Sequence, residues 1–377
     1  MPEFSFDALR RFPDIEAAEL VAVDATDRLV LDEAAALLAT AAPGSVAVIG
    51  DRHGAMTLGA AGLHGVRGLR VHTDRLAGER ALLANAERLE LGDRFTVHEL
   101  EDCLVAETRL VLLQLPRSLD ALDEIAGAIA RRASTEVVVV AGGRLKHMSR
   151  AMNDVLAGHL GTVQARLARQ KSRVLVADGP RPARVPAAPA WPATKEHADL
   201  GLTVAAHGQA FAGTSVDVGT RFLLEVLDRA APTADRAVDL GCGTGVLAVS
   251  LARRLPEVHV TATDDSAAAV ASARATAQAN GVADRVTVVR DDAAQSLPAA
   301  HADLVVLNPP FHLDSAVHRG VALKLFAGAA HVLRPGGELW AVWNSHLAYR
   351  PDLERLVGPT RQVARNPKFT VTVSTRS

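Results

Sequence analysis

The chain has 377 residues, 49% of them hydrophobic and 22% charged, with two cysteines and a formal net charge of −2. That length holds two ordinary domains, and Cys103 and Cys242, far apart and outside any paired motif, exclude a disulfide scaffold or a cysteine zinc site. The charge leaves nucleic-acid contact to a local basic patch rather than to the whole surface; with no apolar run of membrane-spanning length and no signal-peptide core in MPEFSFDALRRFPD, a cytoplasmic protein without membrane or metal partners is expected.

In chain order, SVAVIG (45–50), LRVHTD (69–74), RFTVHEL (94–100), RLVLLQLP (109–116) and TEVVVVAGG (135–143) read as strands separated by helical stretches. Such buried β-branched runs alternating with helices predict an α/β fold with a parallel sheet covered on both faces. A basic run follows, Arg144, Lys146, Arg150, Arg166, Arg169, Lys171 and Arg173, extending to Arg181 and Arg184. It reads equally as RNA contact or as a solvated face. The segment 178–201 carries five prolines and no apolar periodicity, so it reads as an extended linker. The expected division is a first domain at 1–177, a linker at 178–200 and a second domain at 201–377.

The second half repeats the plan with RAVDLG (236–241), HVTATD (259–264), RVTVVR (285–290), ADLVVLNPP (302–310) and GELWAVWN (337–344). Gly50 and Gly241, Asp74 and Asp264, and Gln114 and Asn308 are separated by 191, 190 and 194 positions. The two halves therefore read as tandem copies of one Rossmann-like domain.

Only the second copy carries a full set of chemical motifs. Asp239 precedes the glycine loop Gly241-Cys242-Gly243-Thr244-Gly245, which follows a strand and opens a helix. Glycines there let a ligand approach the backbone, and the acid suits the ammonium group of a methionine moiety better than a pyrophosphate. Asp264, or its neighbour Asp265, at the end of the next strand, is placed to accept bonds from ribose hydroxyls; alone it would read as an acid at a helix start. Asp292, or its neighbour Asp291, suits an adenine amino group or simply a solvated turn. Gly219 and Thr220, in the segment before the first strand of this half, are candidates for closing over the methionine end.

Asn308-Pro309-Pro310-Phe311-His312 is the chemically decisive motif. An exocyclic base amine is a poor nucleophile because its lone pair is conjugated with the ring. The Asn308 side-chain oxygen and the Pro309 carbonyl can grip the amine hydrogens, while Pro310 helps stiffen the loop. Phe311 offers a ring for an extruded base, and His312 contacts base or phosphate or supports the loop. Phe211 and Lys368 are further candidates for the substrate side. In the first half the counterparts are Gly50-Asp51-Arg52-His53-Gly54 and Gln114-Leu115-Pro116-Arg117, with an arginine at the middle glycine. That copy is expected to be degenerate and to brace its partner or bind RNA.

These residues resemble the bacterial ribosomal RNA guanine-N2 methyltransferases, whose N-terminal methyltransferase copy is degenerate. The resemblance covers nearly the whole chain. It rests on the glycine loop, Asn-Pro-Pro-Phe-His and the preceding Asp-Val-Gly-Thr segment. Leu9-Arg10-Arg11-Phe12-Pro13 and Asn366 to Phe369 look most like the branch acting on large-subunit RNA, with the small-subunit branch close behind. The resemblance implies S-adenosylmethionine as cofactor, ribosomal RNA as partner, Asn308, Pro309 and Phe311 as target-base residues, and 241–245 with Asp264 and Asp292 as the cofactor site. Where the family has Phe-Ser-Arg, this chain has Phe211-Ala212-Gly213 and so offers RNA no basic residue. Protein glutamine or DNA adenine methylation, or a non-catalytic RNA-binding assembly role, are the competing readings.

Overall fold

The computed structural model describes residues 4–17, 20–180, 189–230, 234–310 and 315–377. The chain forms two compact units, Met1–Trp191 and Pro192–Ser377.

In the first unit the strands are β1 (Val46–Ile49), β2 (Leu69–His72), β3 (Phe95–Val97), β4 (Leu110–Gln114), β5 (Val138–Arg144), β6 (Val163–Ala165) and β7 (Ser172–Ala177). They lie in the order β3-β2-β1-β4-β5-β7-β6. The first five pair in parallel, and β7 runs antiparallel to both β5 and β6. Both faces are covered, as two-residue periodicity requires. Val46 and Val48 join one buried cluster with Leu110 and Leu112, while Ala47 and Ile49 join another with Val111 and Leu113.

The second unit adds β8 (Ala193–His197), β9 (Leu202–Ala206), β10 (Arg236–Leu240), β11 (His259–Asp264), β12 (Val286–Arg290), β13 (Ala302–Leu307), β14 (Leu333–Asn344), β15 (Thr360–Arg365) and β16 (Phe369–Thr375). Its sheet has the same order, β12-β11-β10-β13-β14-β16-β15, again parallel through β14 and antiparallel beyond it. The sheets are thus mixed rather than wholly parallel. The last two strands of each are joined by short connections, which permit only antiparallel pairing. Every residue of β13 is buried; Leu304 and Val306 face one cluster, Val305 and Leu307 the other.

Strand β8 lies inside the segment read as linker and pairs antiparallel with β9. The outer edge of β9 is satisfied by side chains rather than by another strand. Asn280 Oδ1 accepts from Thr203 N at 3.0 Å, Thr276 Oγ1 from Ala205 N at 3.0 Å and Ser272 Oγ from His207 N at 2.9 Å. These three residues are spaced by four along the helix Ala267–Ala279 and its C-terminal cap, so they share one helix face.

In both sheets the strand order reverses between the first and fourth strands of the copy. Ligands of doubly wound sheets bind in the crevice at the carboxyl ends of such strands. In the second unit this crevice lies between β10 and β13, paired through Leu240 and Leu307. Gly241 and Asn308 are the residues that next leave the sheet. Among the described residues no helix is long and apolar enough to cross a membrane, and no cluster of His, Cys, Asp or Glu is placed to hold a metal ion.

Candidate active site

On the β10 side of the crevice, Gly241, Gly243 and Gly245 all have positive φ, at 72°, 52° and 79°. A side chain at Gly245 would meet Ala273 Cα and Cβ at 3.0 Å, so this glycine lets the loop pack on the helix Ala267–Ala279. Gly241 and Gly243 differ, since an added Cβ would have nothing within 4 Å. Their bare backbone faces open space. The loop is pinned from behind by Gly241 N and Cys242 N, which donate to Thr263 O at 2.8 and 2.9 Å.

Asp239 is 1% exposed. Its Oδ2 accepts from Ala248 N at 2.9 Å, while Oδ1 is buried without a hydrogen-bond partner. Burial pushes its carboxyl up to about 7, opposed by the Ala248 N–H and reinforced by the charge of Asp264. Asp264 fixes the loop from the next strand, with Oδ2 accepting from Gly243 N and Oδ1 from Ser266 N, both at 2.9 Å. Cys242 is buried between these acids, and its thiol is held well above the usual range, first by burial.

The acidic pair after β12 divides its duties. Asp291 serves its own turn, accepting from Asp292 N at 2.7 Å, Ser296 N at 3.0 Å and Ser296 Oγ at 2.9 Å. Asp292 forms an ion pair with Lys324 of the helix Ser315–Val332.

On the β13 side, Asn308 Nδ2 donates to Asp217 Oδ2 at 3.0 Å and to Thr220 Oγ1 at 2.9 Å. Asp217 caps the helix Val218–Leu224, its Oδ2 also accepting from Gly219 N at 2.8 Å and Thr220 N at 3.2 Å. A carboxylate only accepts, so the amide must turn its nitrogen toward it. Asn308 Oδ1 is left buried and without a partner. Gly219 makes this approach possible: an added Cβ would sit 2.9 Å from Asp217 Oδ2, 3.3 Å from Phe369 Cε1 and 3.4 Å from Asn308 Oδ1.

The structure thus gathers Asn308, Gly219 and Thr220 around Asp217, and Asp239, Gly241, Gly243 and Asp264 around the glycine loop. Pro309 is buried and Pro310 exposed. Phe311 and His312 lie outside the described residues. Phe211, 56% exposed, follows the β8–β9 hairpin. Lys368 is exposed, its Nζ 5.2 Å from the centre of the Phe369 ring. Sequence reasoning placed Asp217 only within a segment that could close over the methionine end, and assigned no role to Lys324 or Asn344. The last ends β14, next to β13, and its Oδ1 is also buried and unpartnered. A polar residue closing the apolar run 339–343 was the available signal for Asn344; the partnerships of Asp217 and Lys324 join residues 91 and 32 positions away and left none.

Residues 201–373 match the Methyltransferase small domain family and residues 2–181 the RLMG N-terminal domain family. Ribosomal RNA large subunit methyltransferase G of Streptomyces avermitilis is 36% identical over 375 residues, covering 97% of this chain and 95% of its own. The protein of the same name from Pseudomonas aeruginosa PAO1 is 35% identical over 370 residues, covering 96% of each chain. Among solved structures, a T. thermophilus 16S rRNA N2 methyltransferase in complex with AdoMet and guanosine superposes with a TM-score of 0.75 at 23% identity, covering 94% of this chain and 92% of its own. That likeness is one of fold. Matched in both halves and related over nearly its full length, the chain belongs to the ribosomal RNA large subunit methyltransferase G family.

Proposed function

We propose that the chain transfers a methyl group from S-adenosylmethionine to the exocyclic N2 of a guanine in 23S ribosomal RNA, using the crevice between β10 and β13. The observation that carries the reading is the oriented Asn308 amide, whose nitrogen is tied to Asp217 and Thr220 and whose oxygen is buried and unpartnered. A buried acceptor without a donor costs free energy, about 1–3 kcal/mol. The substrate amine is the donor that repays it.

The residues on the β10 side fit the cofactor. Asp239 Oδ1 is a buried, unpartnered acceptor for the ammonium of the methionine moiety, and Gly241 and Gly243 leave open the space that side chains would fill. Asp264 borders the loop where ribose hydroxyls would lie, and Asp292 is the acceptor for the adenine amino group. When bound, S-adenosylmethionine supplies an electrophilic methyl on a sulfonium. Asn308 Oδ1 and the Pro309 carbonyl hold the amine hydrogens, which aims the nitrogen lone pair along one direction. An amide oxygen is too weak a base to remove a proton, so Asn308 acts by orientation and partial charge. In this reading Phe311 would stack on the extruded base, and Phe211 and Lys368 would contact the RNA.

The test is tritium transfer from labelled S-adenosylmethionine to separated 16S and 23S RNA from cells lacking the enzyme. Label in 23S RNA recovered as N2-methylguanosine is expected. Label confined to 16S RNA, or recovered on adenine, overturns the assignment.

A further inference from the structure

The first unit keeps a cavity of about 240 Å³ at the carboxyl ends of β4 and β5. It overlaps, at Arg52 and Gln114, the position that the proposed active-site crevice occupies in the other copy, and extends from there toward the end of β5. Gln114, the counterpart of Asn308, lines it, as does Arg52, the counterpart of Gly243. Its lining has become cationic through Arg52, Arg117, Arg144 and Lys146. One carboxylate in the lining, Asp24, pairs with Arg144 at 3.3 Å. Among the described residues, Arg117 and Lys146 have no carboxylate partner, and Arg52 makes no ion pair but acts at longer range on the Asp27 carboxyl, which burial pushes up to about 8. By contrast Arg166 and Arg169, read from sequence as part of the same basic run, are neutralised by Asp32 and Glu33 at 3.5–3.9 Å; Arg181 and Arg184 lie outside the described residues. His147 Nε2 lies 3.2 Å from an Arg117 guanidinium nitrogen, which can only donate, so the ring is a neutral acceptor there. Partial burial and then the charges of Arg117, Lys146, Arg52 and Arg144 hold its pKa below the usual range.

We propose that this cavity is a binding site for the phosphate group of a nucleotide, held by Arg52, Arg117 and Lys146. Four cations against one carboxylate favour a multiply charged anion over a carboxylate ligand. Guanidinium forks match phosphate oxygens in pairs, and the ammonium group serves as a point charge. Gln114 Oε1, buried and unpartnered in the lining, adds an acceptor for a hydroxyl or N–H carried with the phosphate. The loss of the middle glycine thus removes a cofactor site and installs an anion site on the same scaffold. The proposal does not depend on methyl transfer in the second unit.

The two sources of such a phosphate are a free nucleotide and the RNA backbone. Calorimetry on the full chain with uridine 5′-monophosphate, with uridine as control, tests the first. Fluorescence anisotropy with a labelled 5′-hydroxyl oligouridine tests the second; neither probe carries guanine. The exposed residues Arg117 and Lys146 are replaced together, R117Q/K146Q, and thermal melting with S-adenosylmethionine binding confirms that both units remain folded. A tenfold or greater rise in Kd for uridine monophosphate identifies a phosphate monoester as occupant. A rise of that size for the oligonucleotide alone identifies the RNA backbone. Unchanged affinity for both probes, or equal affinity for uridine and its monophosphate with no effect on the oligonucleotide, overturns the proposal.

Discussion

Asp217 holds Asn308 by its nitrogen. One carboxylate oxygen of Asp217 accepts the amide at 3.0 Å and, on its other side, caps the helix through Gly219 N and Thr220 N. The start of that helix and the orientation of the amide are therefore a single arrangement.

Replacing Asn308 by Ala is expected to lower kcat on the order of 100-fold, the scale of losing one positioning contact. Binding of S-adenosylmethionine should remain nearly intact, because Asn308 lies on the β13 side of the crevice. Steady-state kinetics and calorimetry read the two effects separately. Full activity in N308A would remove the amine-positioning role.

Asp217→Ala should cost about 1 kcal/mol of stability through the lost cap and also lower kcat, because the amide is released. Asp217→Asn keeps a capping oxygen and should restore the melting temperature together with part of kcat. A merely structural role would shift the melting temperature of D217A while leaving kcat per folded enzyme unchanged.

Gly219→Ala sets two effects against each other. Alanine is favoured over glycine in a helix by about 1 kcal/mol, but its Cβ would lie 2.9 Å from Asp217 Oδ2 and 3.3 Å from Phe369 Cε1. Crowding of that kind costs about 1–3 kcal/mol, so denaturant titration should show net destabilisation, with activity falling as Asp217 shifts. A more stable, fully active G219A would show that the contact relaxes freely.

With its carboxyl raised to about 7, Asp239 is expected to make cofactor binding dependent on pH. Its folded value lies above its unfolded one, so between them the native state binds more protons and stability falls as pH rises toward 7. A ligand ammonium favours the ionised form, so affinity for S-adenosylmethionine should increase from pH 6 to pH 8, with proton release seen as a buffer-dependent binding enthalpy. D239N should bind weakly and lose that dependence. A pH-independent Kd in the wild type would exclude the raised Asp239 carboxyl, and unchanged affinity in D239N would exclude the contact.

Gly243→Arg reproduces the residue at the matching position of the first unit. The backbone there has φ 52° and nothing within 4 Å of an added Cβ. The cost is the left-handed strain alone, about 1–2 kcal/mol, or roughly 2–8 °C in melting temperature. The folded variant should no longer bind S-adenosylmethionine; unchanged binding would exclude the loop as the cofactor site.

Much of this architecture was legible because buried parallel strands advertise themselves. In ADLVVL the residues from Leu304 to Leu307 enter two clusters alternately, in HVTATD Val260 and Ala262 enter one, and the strand reading of each falls on β13 and β11. The antiparallel strands were harder to read. TRQVAR in β15 shows only Thr360 fully buried, so its pattern is weak, and ATKEH in β8 is polar and follows a proline-rich stretch. Within the site, Asp239 and Asn308 stood out as polar residues against apolar strands. That Asn308 Oδ1 is left without a donor depends on Asp217, 91 residues earlier, and such a pairing has no local signal.

The helix Ala267–Ala279 behaves toward β9 as a further strand would, offering Ser272, Thr276 and Asn280 in place of main-chain groups. The same helix starts just after Asp264 and packs Ala273 against Gly245. The hairpin leading to Phe211 is consequently riveted to the scaffold that shapes the glycine loop. Pulling one polar rivet, as in Thr276→Val, would loosen the hairpin that leads to Phe211 while the glycine loop kept its form.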